Sequence, residues 1–349
     1  MIARRDQPVV PLRRRSIDPA TPVIDPDHSE GDPSMSEPTR RNLLRGTAAT
    51  ATGAAVAALA APAAARADGD REQAPTFVLV HSTSCSSSWW GPLIGELALR
   101  GHRALAVDLP GHGPGAYYPK AYQAPQDLKA LATEPSPTAK LTVDDYAEHV
   151  ERVVTRASAR GPVILAGHGD AGGAVLGRLG NAIPGRIRHL VYIDAFLCVD
   201  LATMGDYQQV PENGGALPVP AIGNPAELGV ARINWRSGNP KDVAAFKAAL
   251  AADFTDEALR AMLNSLQPDE AAAVWGADVK VDARTWGRIP RTYVRFSKDR
   301  TFPVALQDRM IREADRLTPR NRFKVHTVAA PHAGPLHRPE IVKILDGLA

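Results

Sequence analysis

PVILAGHGDAGG, residues 162–173, is the stretch whose reading decides the architecture. Its apolar run, Val163 to Ala166, suits a strand buried on both faces. The run ends at Gly167, and a glycine- and alanine-rich helix start follows. A strand that passes into a helix through a tight turn forms an elbow usually written G-x-S-x-G, with serine at the apex. Here no serine occurs between Gly161 and Gly177. What stands at the apex instead is the question the sequence poses.

Outward from this elbow, strand and helix patterns alternate. Short apolar or β-branched runs mark strands at Thr76–Val80, Arg103–Val107, Val163–Ala166, His189–Ile193, Thr292–Phe296 and Phe323–Val328. Amphipathic spacing marks helices near 90–100, 142–159, 172–181, 303–316 and 338–348. The alternation predicts an α/β fold, a doubly wound and mostly parallel sheet with right-handed crossovers. Residues 199–288 break the rhythm. They show helical stretches and no strand pattern, and the pair Asn239-Pro240 joins an N-cap to a proline at the first helical position. A further helix is expected from Thr255 to about Leu266. This insertion is expected to be an all-helical cap over the sheet edge.

The chain has 349 residues, 44% hydrophobic and 23% charged, enough for a full core in the domain expected over 68–349. The segment before it reads differently. Residues 1–34 are polar and proline-rich, a composition that stays disordered. Residues 35–67 hold Arg40-Arg41, an alanine-rich run from Ala48 to Ala65 and Ala65-Arg66-Ala67, the layout of a twin-arginine export signal with its cleavage site. Export to the cell-envelope exterior or the medium is therefore expected. The run is too short and too weakly apolar for a stable membrane span. Met35 sits just ahead of the signal and offers a second start that would place residues 1–34 outside the natural chain.

Removing residues 1–67 leaves 32 Lys+Arg against 31 Asp+Glu, so the +3 charge of the full chain gives no reason to expect nucleic acid. The expected partner is a small-molecule substrate. Two cysteines, Cys85 and Cys198, cannot make a disulfide framework or a metal cluster, and two buried thiols or one bridge remain open. There is no glycine-rich phosphate loop and no ligand-spaced His/Cys/Asp cluster, so no cofactor and no metal are expected.

Several pieces together resemble the α/β-hydrolase superfamily, closest to its small esterase and hydroxynitrile-lyase-like branch. They are the strand into His81, DLPGHG at 108–113, the elbow at 167–173, Asp299 after a late strand and His332 after the last strand. The resemblance covers nearly all of 76–349 and has the order nucleophile, acid, histidine. It implies that His332 is the general base and that Asp299 fixes its tautomer. After the first strand the family expects His-Gly-small, whose backbone N–H groups face developing negative charge. Here His81 is followed by Ser82 and Thr83, so Thr83 N–H becomes the expected donor together with the N–H of Ala171. Trp89 and Tyr207 are candidate substrate contacts, Tyr207 as a proton donor at the start of the cap, with Tyr117, Tyr118 and Tyr122 outside it.

The elbow admits two registers. Counting from the strand puts Gly169 at the apex and leaves no nucleophile there. Counting back from the Gly172-Gly173 pair puts Asp170 there, and that register is the expected one. An aspartate at this position resembles the carboxylate nucleophile of haloalkane dehalogenases and epoxide hydrolases. Ionised at neutral pH, it would attack an epoxide or another activated carbon to give an alkyl ester, which His332 would hydrolyse with water. The sequence departs from both relatives: it lacks the His-Gly-x-Pro of the epoxide hydrolases and carries Ala171 where dehalogenases usually place tryptophan. Two alternatives stand beside it. One is an ester or lactone hydrolase in which Asp170 or His332 activates water. The other is a lyase, cyclase or binding protein on the same fold.

Overall fold

The computed structural model describes residues 74–336 and 338–349. The disordered and export-signal readings of the N-terminal segment lie outside the described residues. Six parallel strands form one sheet: β1 (Thr76–Val80), β2 (Arg103–Val107), β3 (Val163–His168), β4 (His189–Ala195), β7 (Arg291–Phe296) and β8 (Lys324–Val328), in the order β2-β1-β3-β4-β7-β8. The central strands β1 and β3 are buried along their whole length, which is why they read as unbroken apolar runs.

Counting helices of eight residues or more, the sheet is flanked by α1 (Gly91–Leu99), α2 (Val143–Ser158), α3 (Gly169–Ala182), α6 (Val304–Leu317) and α7 (Pro339–Asp346). Alternation along β1 assigns the faces. Val78 and Val80 belong to one core, which includes Val150 of α2, Leu176 of α3 and Met310 of α6. Phe77 and Leu79 belong to the core on the opposite face, which includes Leu97 of α1 and Leu345 of α7. Local chemistry sets the helix starts. Thr142 and Asp145 form a reciprocal capping box on α2, with Thr142 N–H donating to Asp145 at 2.8 Å.

Segment 199–288 contains α4 (Pro240–Leu250) and α5 (Asp256–Ser265), capped by Asn239 and Thr255 as their sequence suggests. It is not wholly helical. β5 (Val230–Arg232) and β6 (Asp269–Ala271) pair antiparallel, Val230 opposite Ala271. Charge hid these strands from a reading based on apolar runs: Arg232, Asp269 and Glu270 are all buried. The Arg232 guanidinium meets Asp269 through Nε at 2.6 Å and Nη2 at 2.7 Å, and donates to the carbonyls of Leu131 and Glu134.

Candidate active site

β1 lies between β2 and β3, so the chain leaves the two inner strands in opposite directions across the sheet. A crevice opens outside the carboxyl ends of strands at such a switch point. The segments leaving β1, β3, β7 and β8 carry Ser82, Gly169, Asp299 and His332 to that end, and Asp194 stands at the carboxyl end of β4 itself. A cavity of about 480 Å³ lies there. Ser82, Thr83, Trp89, Asp170, Glu270 and His332 line it, with Leu217, Ile233, Trp235, Leu250, Met262 and Leu266 supplying apolar wall from the inserted segment.

The apex of the elbow is Gly169, at φ +63°, a left-handed conformation that suits glycine. This corrects the register expected from the sequence, which placed Asp170 there. The Gly172-Gly173 pair does not set the register, because it answers to helix packing. A Cβ on Gly173 would lie 2.2 Å from the carbonyl oxygen of Phe196, and one on Gly172 would lie 3.0 Å from that of Val80.

Asp170 is thus the second residue of α3. It is buried and lines the cavity; Oδ2 accepts from Thr83 Oγ1 at 3.4 Å, and Oδ1 has no partner. Burial pushes its carboxyl up to about 6, against the His332 charge and with help from Glu270. Its oxygens lie more than 4.0 Å from both ring nitrogens of His332.

His332 Nδ1 sits 2.7 Å from Asp299 Oδ2, as the resemblance implies for the orienting acid. Asp299 is itself fixed, its Oδ1 accepting from Thr301 N–H at 2.6 Å and Phe302 N–H at 3.0 Å. A second carboxyl, not anticipated, shares the same nitrogen: Asp194 Oδ2 is 3.1 Å away. Asp194 is fully buried at φ +46°, with Oδ1 unpartnered. Burial and the neighbouring Asp299 charge raise its carboxyl well above the usual range. Burial opposes ionisation of Asp299 too, but the His332 charge and hydrogen bonds from Asp194 and His332 hold it well below. The pair therefore shares one negative charge. Burial disfavours a charged His332, and the Asp299 charge with the Asp194 hydrogen bond overcomes it, lifting the imidazole well above its ordinary value.

The other expected site residues divide. Thr83 and Trp89 line the cavity, and Trp89 stacks on the His168 ring at 5.9 Å. Ala171 is buried within α3 and lines no part of the cavity. His81 lies behind the site: its Nδ1 donates to Ser82 O at 2.8 Å and its Nε2 accepts from Leu109 N–H at 3.1 Å, tying the ends of β1 and β2. Tyr207 points away, its hydroxyl bonded to Glu313 and to the N–H of Val199 at 3.0 Å. Among the other tyrosines, Tyr117 donates to Glu134 at 2.5 Å, and neither Tyr118 nor Tyr122 lines the cavity. Cys85 and Cys198 are free and buried.

Glu270 is a further residue the sequence did not flag. It accepts from Ser84 N–H at 3.0 Å and Tyr146 OH at 2.7 Å, and pairs with His112 Nε2 at 2.9 Å. Ser84 has φ +57°, so this carboxylate holds the strained residue in the serine-rich loop. Asp108 holds the same loop from the other side, accepting from Ser87 N–H at 2.6 Å. Among the described residues, His168, Asp194 and His332 are the one group close enough to share a cation, their ligand atoms within 4.8 Å of one another. Of their ligand atoms, His168 Nε2 bonds the main-chain carbonyl of His332 at 3.1 Å and His332 Nδ1 bonds both carboxyls, while His168 Nδ1 is buried without a partner.

A parallel sheet with an elbow at its switch point and a histidine paired to an acid define a hydrolase-type site. The family model described as the alpha/beta hydrolase family matches residues 77–343. The chain belongs to that family and is a hydrolase. No curated protein matches the chain. Among solved structures it is similar to a pyrethroid hydrolase from Sphingobium faniae JZ-2, at 20% identity and TM-score 0.57, covering 79% of this chain and 97% of that one. It is similar to polyneuridine aldehyde esterase at 22% identity and TM-score 0.57, covering 79% and 99%. An extracellular alpha/beta-hydrolase from a Paenibacillus species gives 16% identity and TM-score 0.58, covering 78% and 98%. At these identities the likeness is one of fold.

Proposed function

We propose that this hydrolase cleaves a carboxylic ester of a mainly apolar substrate, with His332 as general base and Asp299 holding its Nδ1. The observation that carries the reading is the His332–Asp299 pair, 2.7 Å apart, beside a cavity walled by apolar side chains. Two features support the acyl chemistry. The first-turn N–H groups of α3 have no side-chain cap, so the positive end of the helix can meet an oxyanion. Asp170 Oδ1 and Trp89 Nε1 are buried without partners, and a polar group on the substrate would relieve that cost of about 1–3 kcal/mol each. The fold is also that of solved neighbours named as an esterase and a pyrethroid hydrolase.

A second reading keeps the sequence's first expectation. Asp170 is ionised above about pH 6 and lines the same cavity, so it can attack an epoxide or another activated saturated carbon to give an alkyl ester that water cleaves with help from His332. A chromogenic ester and a styrene-oxide-type epoxide, each offered to the protein, separate the two. Ester turnover abolished in His332→Gln supports the first. Epoxide turnover alone, with His332→Gln accumulating a substrate-sized mass on the Asp170 peptide, replaces it with the second. We also propose that the enzyme acts outside the cytoplasm, on the strength of Arg40-Arg41 and the alanine-rich run behind them.

A further inference from the structure

The elbow lacks a side chain at its apex, yet the space above that apex is filled. A Cβ placed on Gly169 would lie 1.9 Å from Ser82 Oγ and 2.6 Å from Ser82 Cβ. A hydroxyl borne by the end of β1 therefore occupies the place where an apex side chain would start, and no side chain at residue 169 can coexist with it as it stands. The exchange is reciprocal in sequence. The family pattern has glycine after the first-strand histidine and serine at the apex; this chain has Ser82 after His81 and Gly169 at the apex.

We propose that Ser82 is the nucleophile of this enzyme, its hydroxyl replacing the one the elbow has lost. The proposal rests on the ester-hydrolysis reading and names the group that the reading left open. Ser82 is 2% exposed and lines the cavity together with His332, Asp170 and Thr83. Its Oγ makes no hydrogen bond to another described residue, whereas the neighbouring Thr83 hydroxyl is engaged by Asp170. Its backbone is anchored, its carbonyl accepting from His81 Nδ1 at 2.8 Å and from Cys85 N–H at 3.3 Å. The nearby Cys85 thiol is the weaker candidate, because burial pushes it well above the ordinary thiol range and keeps it protonated. No hydrogen bond joins Ser82 to His332 in the unliganded site, a contact that commonly tightens when substrate binds.

The step balances within the site. Ser82 Oγ attacks the ester carbonyl carbon and its proton passes to His332 Nε2. The carbonyl–alkoxy bond breaks, and the alkoxide takes that proton from His332 and leaves as the alcohol. Water then attacks the Ser82 ester and gives a proton to His332. The bond to Oγ breaks, the carboxylic acid leaves, and the proton returns to Ser82.

A fluorophosphonate probe tests the assignment independently of turnover: an Oγ–P bond forms, the P–F bond breaks, and the hydroxyl proton leaves with fluoride. Peptide mapping of the labelled protein should place one adduct on Ser82. Ser82→Ala, which removes a single oxygen, should lose the label and reduce ester kcat by on the order of 10³-fold or more while keeping its melting temperature. Removing the whole side chain leaves Ser82 Cα 3.6 Å from a Cβ at residue 169. The double variant Ser82→Gly with Gly169→Ser should therefore accept an apex side chain and carry the label at position 169. An adduct on any other residue of the unmodified protein, or no adduct, or ester turnover undiminished in Ser82→Ala, overturns the proposal. If the unmodified protein cleaves no ester, the ester reading falls, and the mapped adduct still decides whether Ser82 is the reactive hydroxyl.

Discussion

At His332 two carboxyls meet one ring N–H, and their separate states set how the base behaves. Asp299 is held as a carboxylate and Asp194 as a carboxylic acid, so the imidazole is favoured in its charged form. A general base works only when neutral, so kcat/KM for an ester should climb as pH rises through the raised His332 value, above the ordinary range of an imidazole. Asp194→Asn removes one group that stabilises the imidazolium and should move that rising limb toward lower pH; a limb that does not move means Asp194 does not act on His332. Asp170 makes a separate prediction in stability. Its folded value of about 6 is raised above the ordinary 3.8, so the proton it holds favours the fold fully below about pH 4, and this contribution is lost as pH climbs through 6. Asp170→Asn should flatten the fall in urea midpoint between pH 4 and 8, and an unchanged slope would show that Asp170 is not the group responsible. His332 and Asp299 were legible through the family resemblance, each standing in a loop shortly after a late strand. Asp194 was not, because it completes a strand read as ending at Ile193, and nothing in one sequence marks its left-handed backbone. Ser82 was read only as the residue standing where the family has glycine, since its relation to Gly169 spans 87 positions of chain.

At the scale of elements, the elbow depends on how closely α3 can approach the sheet. The sequence placed all six main strands to within a residue or two. The inner ones, β1, β3 and β4, are buried and leave unbroken apolar runs, and the edge strands β2 and β8, less buried, show through their apolar or β-branched residues. It misjudged the apex because two glycines in a row look like an apex signal when they are a packing signal. Gly173→Ala puts a methyl group against the Phe196 carbonyl and should cost about 1–3 kcal/mol, read as a lower urea midpoint. A variant as stable as the parent would mean the helix can move away from β4 freely. The β5–β6 pair escaped the sequence for the opposite reason, since its strands are three residues long and held by charge. Arg232 and Asp269 are fully paired and out of water, so Asp269→Ala leaves a guanidinium buried with two main-chain carbonyls as its remaining partners. The loss should be about 3–5 kcal/mol. Because Glu270 is next in the strand and holds Ser84, the same variant should also loosen the loop that carries Ser82 and Thr83, seen as faster amide exchange there.

For the whole molecule, the 32 basic and 31 acidic side chains left after residue 67 give a nearly neutral enzyme, and the arginine excess of the full chain belongs to the segment before it. We propose that this segment, with Arg40-Arg41 and the alanine-rich run behind them, is an export address. A twin-arginine signal is read by a receptor as a pair of guanidinium groups, planar forks that a lysine ammonium does not reproduce. Charge alone is therefore not what is recognised. Arg40→Lys with Arg41→Lys preserves the net charge and the alanine-rich run, and should leave the protein in the cytoplasm as an uncleaved precursor. The parent chain, expressed in a host with this pathway, should appear outside the cytoplasm with a new N-terminus just past Ala67, determined by mass spectrometry. The pathway carries folded proteins, so the retained variant should hydrolyse the same ester at the same rate as the exported enzyme. Export of the double-lysine variant at the parent's level, with cleavage at the same place, would show that the pair is not the address and that the segment is read some other way.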